Sequence, residues 1–305
     1  MNATPADQSG NCPWCKHSSS KSVIGRDYNY SVSRSKYLYK RCNNCGWVWL
    51  TNQPDDLDKY YPARYFKTDQ DQNNVAKLAS VEQYKIDIVT RFKQSGNLLD
   101  IGPGAGGFIY LAQKCGFTVS AHEASEINAK WIASEFNVEC ITLIDLLEAT
   151  HIENYFDVIT MWHSAEHVEL PVELIGKISR LLRIGGILVI ASPNPQALQF
   201  RIFRGRWTHL DPPRHLNLIP INCLIESCQK FHLESTEVIW GDYSARGWNR
   251  FGWEQTLSHL TNNRSAEKLL FLLGTGIYGL CRSLEMRPLK GACYTAIFKR
   301  VEELN

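Results

Sequence analysis

The run Leu98-Leu99-Asp100-Ile101-Gly102-Pro103-Gly104-Ala105-Gly106-Gly107-Phe108 has the residue types of a ligand-holding turn. Its apolar residues end a buried parallel strand, and its clustered glycines accept positive φ and let a ligand approach bare backbone. A helix opening near Gly107 turns its free N–H groups toward the crevice at the strand ends, where nucleotide cofactors bind. Gly102, Gly104 and Gly107 also meet the dinucleotide spacing G-x-G-x-x-G, which is a weak signal alone. Asp100 separates the two uses of such a turn. A carboxylate two residues before the first glycine crowds a pyrophosphate with negative charge but suits a ligand that carries positive charge. Glu123, roughly 20 residues past Gly102, falls where an acidic side chain at a strand end accepts from ribose hydroxyls. Cys12, Cys15, Cys42 and Cys45 form two C-x-x-C turns, each able to aim two thiolates at one ion in a closed tetrahedral site. His163, His167 and His215 are the candidate bases, because imidazole titrates near neutral pH. Arg204, Arg206 and Arg214 can grip a phosphate or carboxylate, a solvated basic face being the plain alternative.

These groups need elements to carry them. Leu78, Val81, Ile86, Val89 and Phe92 recur at roughly helical intervals and predict a helix ahead of the glycine-turn strand. Strands and helices then alternate: a helix from Phe108 to Cys115, a strand from Phe117 to Glu123, a helix from Glu126 to Phe136, a short strand at Val138–Thr142. A fourth strand, Phe156 to His163, is a continuous apolar run that brings Trp162 to the cofactor. A helix from Leu174 to Leu182, stopped by Gly185-Gly186, leads to a fifth strand at Ile187–Ala191. Leu233–Trp240 and Cys293–Lys299 complete the set, and the alternation predicts an α/β fold. Upstream, Ile24–Tyr30 and Lys36–Lys40 alternate as a hairpin that a metal ion staples, the spacing being that of a zinc ribbon. So small a module hardly folds without its ion, and a redox dithiol leaves one C-x-x-C unexplained. Trp14, Trp47 and Trp49 form its core or a stacking surface. The polar stretch from Thr51 to Phe66 predicts the boundary between a ribbon-like module at 1–60 and a larger domain at 61–305. Residues 195–220 lack strand character and are expected to form a lid or substrate wall. Residues 248–285 predict a helical insertion; its run Leu269–Leu280 is core, dimer contact or, with Arg264 and Lys268, a helix resting on a membrane surface.

S-adenosylmethionine is a ligand with an ammonium and a sulfonium, the charges Asp100 suits. The glycine turn resembles motif I of the class I S-adenosylmethionine-dependent methyltransferases. Ser164-Ala165-Glu166-His167-Val168 is similar to the Glu-His-Val signature of a branch that includes ubiquinone-type O-methyltransferases, and Arg180 to Asn194 resembles that family's helix-glycine-strand block. Pro213-Arg214-His215-Leu216 resembles a block of bacterial members, many of them linked to saccharides. The resemblance covers most of residues 95 to 240. It implies a Rossmann-like seven-stranded sheet whose last strand enters antiparallel at the edge. It also implies a cofactor site of Asp100, Gly102, Gly104, Gly106, Glu123 and Trp162, with Asp145 beside the adenine. The acceptor it implies is a saccharide or a nucleotide- or lipid-linked sugar, or else a phenol or quinone. Deoxysugar C-methyltransferases carry a further C-terminal domain that this chain is too short to hold. A dehydrogenase and a non-catalytic zinc-ribbon adaptor are the other classes; Asp100, which would face a pyrophosphate, argues against the first, and intact Asp100, glycines and Glu123 argue against the second.

Composition bounds these readings. The 305 residues hold one large α/β domain and a small appendage. With 33 basic and 31 acidic side chains there is no broad electrostatic footprint for nucleic acid. No apolar run reaches the length of a membrane span, and Met1–Gly10 lacks a signal-peptide profile, so the expected location is the cytoplasm. The ten cysteines, four of them in C-x-x-C pairs, favour metal and buried thiols over disulfides. The expected partner is a small-molecule substrate, anionic if the arginines face it; the oligomeric state stays open.

Overall fold

A computed structural model of the chain describes residues 11–18, 20–62, 72–142 and 152–302. Two sheets organise it. The larger has seven strands in the order β10-β11-β8-β7-β4-β5-β6. Here β4 is Gly96–Ile101, β5 Phe117–His122, β6 Glu139–Cys140, β7 Phe156–Trp162, β8 Leu182–Pro193, β10 Leu233–Ile239 and β11 Cys293–Arg300. β4 to β8 run parallel, and β11 lies antiparallel to both β8 and β10. Side chains alternate across each strand, and the helices divide accordingly. Leu98, Val158, Val189 and Ile297 face helices α1 (Gln72–Thr90), α2 (Gly107–Lys114) and α3 (Glu126–Phe136). Leu99, Ile159, Leu188 and Phe298 face α4 (Pro171–Leu181) and α6 (Ile221–Gln229). This is the expected Rossmann-like α/β sheet.

Local details differ from expectation. The third strand shrinks to Glu139–Cys140. α4 ends without glycine, because the chain turns extended at Leu182 and pairs at once with Phe156. Gly185, at φ +77°, instead accommodates the register shift between Leu182 and Ile187. The terminal strand is not at the edge: β11 inserts between β8 and β10, and β10 takes the edge.

The smaller sheet, β1-β2-β3-β9, crosses the boundary drawn from sequence. β1 (Ser20–Gly25), β2 (Tyr37–Cys42) and β3 (Val48–Leu50) belong to the ribbon, but β9 (Asn217–Leu218) comes from the far side of the large domain. Cys12, Cys42, Trp47 and Trp49 pack into the same buried cluster as Leu99, Ile159 and Tyr294. Trp47 and Trp49 are therefore core, and Trp14 stacks on Trp47 under Lys230. The interval 195–220, expected to be a lid or substrate wall, is packed into the fold. It holds α5 (Leu198–Phe203) and short 3-10 turns, and it buries Trp207, Leu210, Arg214, Leu216 and Leu218 between the sheets. The predicted insertion is a pair of helices, α7 (Tyr243–Ser258) and α8 (Arg264–Glu285), packed on each other. Among the described residues no helix is long and apolar enough to cross a membrane.

Candidate cofactor crevice and histidine cluster

The crevice opens at the carboxyl ends of β4 and β5. Gly102, Gly104 and Gly106 all have positive φ, which folds the turn tightly enough to present backbone N–H groups ahead of α2. Two of them are required by packing: a Cβ at Gly102 meets Ser164 at 2.7 Å, and one at Gly106 collides with Phe136. Gly104 is different. Among the described residues no atom beyond its chain neighbours lies within 4 Å of its Cβ position, which leaves room there for a ligand. Glu123 stands across from it, oriented by Ser125 N at 2.9 Å and Asn128 Nδ2 at 2.8 Å; the same amide donates to Gly104 O at 3.0 Å. Asn128 thus locks the acidic side chain to the glycine turn.

Asp100 is buried, and Thr160 on β7 donates to its Oδ1 at 2.7 Å. Burial raises its pKa to about 7, against the lowering effects of Thr160 and Lys85. A half-ionised buried carboxyl with one oxygen bonded to Thr160 is suited to a cationic group. Trp162 packs edge-on against Phe108 and Tyr84, with Lys85 Nζ 5.6 Å from its ring centroid. Its indole Nε1 is buried and has no hydrogen-bond partner among the described residues. The open space over Gly104, the oriented Glu123 and this orphaned donor together fit a nucleoside cofactor with a charged tail. Asp145 lies outside the described residues, as do Tyr65 and Phe66 of the predicted linker.

A second constellation lies at the end of β7. His163 has φ +54°, uncommon for a residue with a side chain and a sign of local backbone constraint. Its N–H donates to Ala191 O on β8, fixing the turn. Its Nδ1 lies 3.6 Å from Glu166 Oε1, its ring packs 4.9 Å from Trp248, and its buried Nε2 has no hydrogen-bond partner among the described residues. Glu166 is almost fully buried. Burial pushes its carboxyl up, but the imidazoles of His163, His215 and His167 outweigh this and hold its pKa down at about 2. It is therefore an anion ringed by three histidines. His215 Nε2 is 4.0 Å from Oε1, while its Nδ1 is bonded to His209 O at 2.9 Å. His167 Nδ1 is held between Arg214 O and Tyr61 OH, at 2.9 and 3.1 Å. Burial lowers the His167 pKa to about 4, aided by His215, so that ring is neutral at physiological pH. Glu166, His167 and His215 offer ligand atoms within 4.8 Å of one another, close enough to hold a metal ion.

The three predicted histidines thus converge, but sequence reasoning missed the group that joins them. Glu166 was legible as the first residue of the Glu-His-Val signature. Trp248 and Tyr61, from distant segments, carried no local signal.

The arginines do not converge. Arg214 is fully buried; it donates to Asp211 Oδ2 at 2.8 Å, Asp211 Oδ1 at 2.7 Å, Asp27 Oδ1 at 2.5 Å and Tyr60 O at 2.9 Å. Its donors are spent within the protein, so the substrate role expected for it gives way to a structural one. Arg204 and Arg206 are exposed where a 3-10 turn packs against β1, with Gly205 pressed on Ile24.

The four ribbon cysteines come together as predicted. Cys12 and Cys45 sulfurs are 3.5 Å apart, as are those of Cys15 and Cys42, and all four lie within 4.8 Å. Metal–sulfur bonds of ~2.3 Å in a tetrahedron set sulfurs about 3.8 Å apart, so the cluster has the size of a four-thiolate metal site.

Residues 75–238 match a methyltransferase-domain family. Over 156 residues the chain is 30% identical to the ubiquinone biosynthesis O-methyltransferase of Caulobacter sp. strain K31, covering 46% of this chain and 57% of that protein. It is 29% identical over 156 residues to the protein of the same name from Caulobacter vibrioides, with the same 46% and 57% shares. The chain therefore spans less than two thirds of the length of these curated relatives. Among solved structures, it resembles a SAM-dependent methyltransferase from Archaeoglobus fulgidus with a TM-score of 0.52 and 20% identity, over 73% of this chain and 94% of that one. At that identity the likeness is one of fold.

Proposed function

The chain belongs to the methyltransferase-domain family, and on that premise we propose that it transfers a methyl group from S-adenosylmethionine to a hydroxyl of a small molecule. The cofactor supplies the methyl on a sulfonium. Asp100, the glycine turn, Glu123 and Trp162 are the residues that hold it, each by the charge or donor described above. The observation that carries the reading is the pairing of His163 with Glu166 at the end of β7. Glu166 holds Nδ1 of His163 and leaves Nε2 free, the arrangement in which an imidazole accepts a proton while a buried carboxylate stabilises the resulting cation. The acceptor hydroxyl gives its proton to Nε2 as the oxygen–carbon bond forms. His163 is therefore preferred as base over His167, whose pKa, lowered by burial to about 4, makes it a weak proton acceptor, and over His215, whose Nε2 faces Glu166 at 4.0 Å.

A phenolic or quinone-type acceptor is favoured over a sugar. The relatives named for ubiquinone biosynthesis support it, and the buried Arg214 removes one support for an anionic saccharide. In the ribbon, we take the ion of the four-thiolate site to be zinc, in a closed structural role. The test is calorimetric titration with S-adenosylmethionine, with NAD as control, followed by mass spectrometry of catechols and nucleotide sugars incubated with both. Micromolar binding of S-adenosylmethionine alone and a methylated catechol are the expected results. Binding of NAD overturns the cofactor assignment, and methylation of sugars alone overturns the acceptor.

A further inference from the structure

Helix α8 is fastened to α7 along one side and left apolar on the other. Gly274 sits so close to α7 that a Cβ there meets the Glu254 Cα at 2.7 Å, and Thr275 Oγ1 donates to Glu254 Oε1 at 2.6 Å. At about 100° per residue, Leu269, Leu272, Leu273, Gly276, Leu280 and Leu284 fall within a sector of roughly 120° on the opposite side. No charged residue of α8 shares that sector: Arg264, Glu267, Lys268, Arg282 and Glu285 lie on the rest of the circumference. The five leucines are 36–87% exposed, so they form one contiguous apolar face rather than scattered surface side chains.

The face has relief as well as composition. Leu272, Gly276, Leu280 and Leu284 stand four residues apart and make a single ridge, with Leu269 and Leu273 in the row beside it. Gly276 is a notch in that ridge: among the described residues, no atom beyond its chain neighbours and the backbone of its own turn lies within 4 Å of its Cβ position. Ridges of this spacing interdigitate when two helices cross at about 50°. A two-fold axis over Gly276 sets the notch of one helix against that of the other, where the backbones approach, and seats the leucines on either side in facing grooves. The ridge is thus complementary to itself.

We propose that this face binds the same face of a second copy of the chain, the two α8 helices crossing at Gly276. The available area agrees. At these exposures the leucines offer roughly 500 Å² per chain, and burying both copies reaches about the 1,000 Å² from which a specific interface is built. A bilayer fits less well, because a helix resting on one holds anionic headgroups with cations that flank its apolar side. Arg264 and Arg282 lie about 140°, and Lys268 about 100°, from the centre of the leucines. The inference goes beyond the methyl-transfer reading and does not depend on it.

The experiment is sedimentation velocity of the full chain over a concentration series. We expect a monomer–dimer equilibrium with a dissociation constant on the order of micromolar. Leu272→Glu with Leu280→Glu should raise that constant about a hundredfold or more, since each carboxylate would be buried without a partner. Gly276→Leu separates a self-paired face from a merely apolar one. It adds apolar surface where the monomer has room, which strengthens attachment to a lipid or to an unrelated apolar partner, but it fills the notch at the crossing and should weaken the dimer about tenfold. All three positions are exposed, so unchanged circular dichroism and melting temperature below the dimer's concentration range are the control for folding. Three results overturn the proposal: a dimer that the glutamate pair leaves intact, a Gly276→Leu dimer tighter than the native one, or a native chain that stays monomeric throughout. If that monomer pellets with phosphatidylcholine vesicles and the glutamate pair releases it, the face belongs to a lipid surface instead.

Discussion

At the scale of single residues, Asp100 links the crevice to pH. Its carboxyl is raised to about 7 by burial, so in the free protein it is about half protonated at neutral pH. A cationic ligand favours the ionised form, and binding therefore releases a proton. Below about pH 7 the affinity for S-adenosylmethionine should fall by up to tenfold per unit, and above it should level off. Calorimetry in two buffers of different ionisation enthalpy measures the released proton, and Asp100→Asn should abolish it. A pH-independent affinity would remove Asp100 from the cofactor site. His163→Ala should lower turnover by about a hundredfold to ten-thousandfold with cofactor affinity unchanged. Glu166→Gln should also lower turnover, because it leaves His163 protonation without a counter-charge. Equal turnover in native and His163→Ala enzymes would sink the assignment of the base. The placement of these residues at the strand ends was legible because it lies in short local patterns, the glycine turn and the Glu-His pair. What could not be read was orientation: nothing local in His163, His167 and His215 tells which nitrogen is free, since Trp248, Tyr61 and the Arg214 carbonyl decide that across long sequence separations.

Elements obey the same distinction between local and distant causes. The parallel strands and their helices follow apolar periodicity, and the sheet faces sort themselves by alternation at Leu98 and Leu99 or Val158 and Ile159. The interval from 195 to 220 defeats such reading. Its polar residues are satisfied by partners far away in sequence, above all Arg214 by Asp27 across the ribbon boundary, and β9 is two residues long. A buried guanidinium with two carboxylates resembles a surface basic patch until its partners are known. This gives the segment a measurable signature. Arg214→Met leaves Asp27 and Asp211 as buried, unpaired anions, and the expected loss is about 3–5 kcal/mol in denaturant unfolding. Asp27→Asn should cost less, since Asp211 still pairs with the guanidinium through two bonds. A loss under about 1 kcal/mol for Arg214→Met would mean that the segment moves freely enough to hydrate those carboxylates.

Across the whole molecule the ribbon is a strut for the histidine cluster. Trp47 Nε1 donates to Asn217 Oδ1 at 2.9 Å, and Asn217 Nδ2 donates to Val168 O at 2.8 Å, beside Glu166 and His167. Tyr39 OH donates to His215 O, Leu216 N donates to Glu166 O, and Tyr61 OH contacts His167. Each link joins the first 61 residues, or the segment 216–218 they pair with, to the site. The glycine turn, Glu123 and Trp162 instead rest on α1, α2 and α3, on the other face of the sheet. Loss of the zinc proposed for the ribbon should therefore act unequally on the two halves of the site. Structural zinc contributes about 10–16 kcal/mol of apparent binding free energy in small zinc-finger peptides, so removal requires a strong chelator or Cys42→Ser. In the metal-depleted protein we expect a lower melting temperature and turnover reduced at least tenfold, while affinity for S-adenosylmethionine changes by less than about threefold. The split is the informative result, because general unfolding would abolish cofactor binding along with turnover. If the metal-free protein keeps native turnover and melting temperature, the ribbon is an appendage and the hydrogen bonds from Trp47, Tyr39 and Tyr61 do not position the histidines.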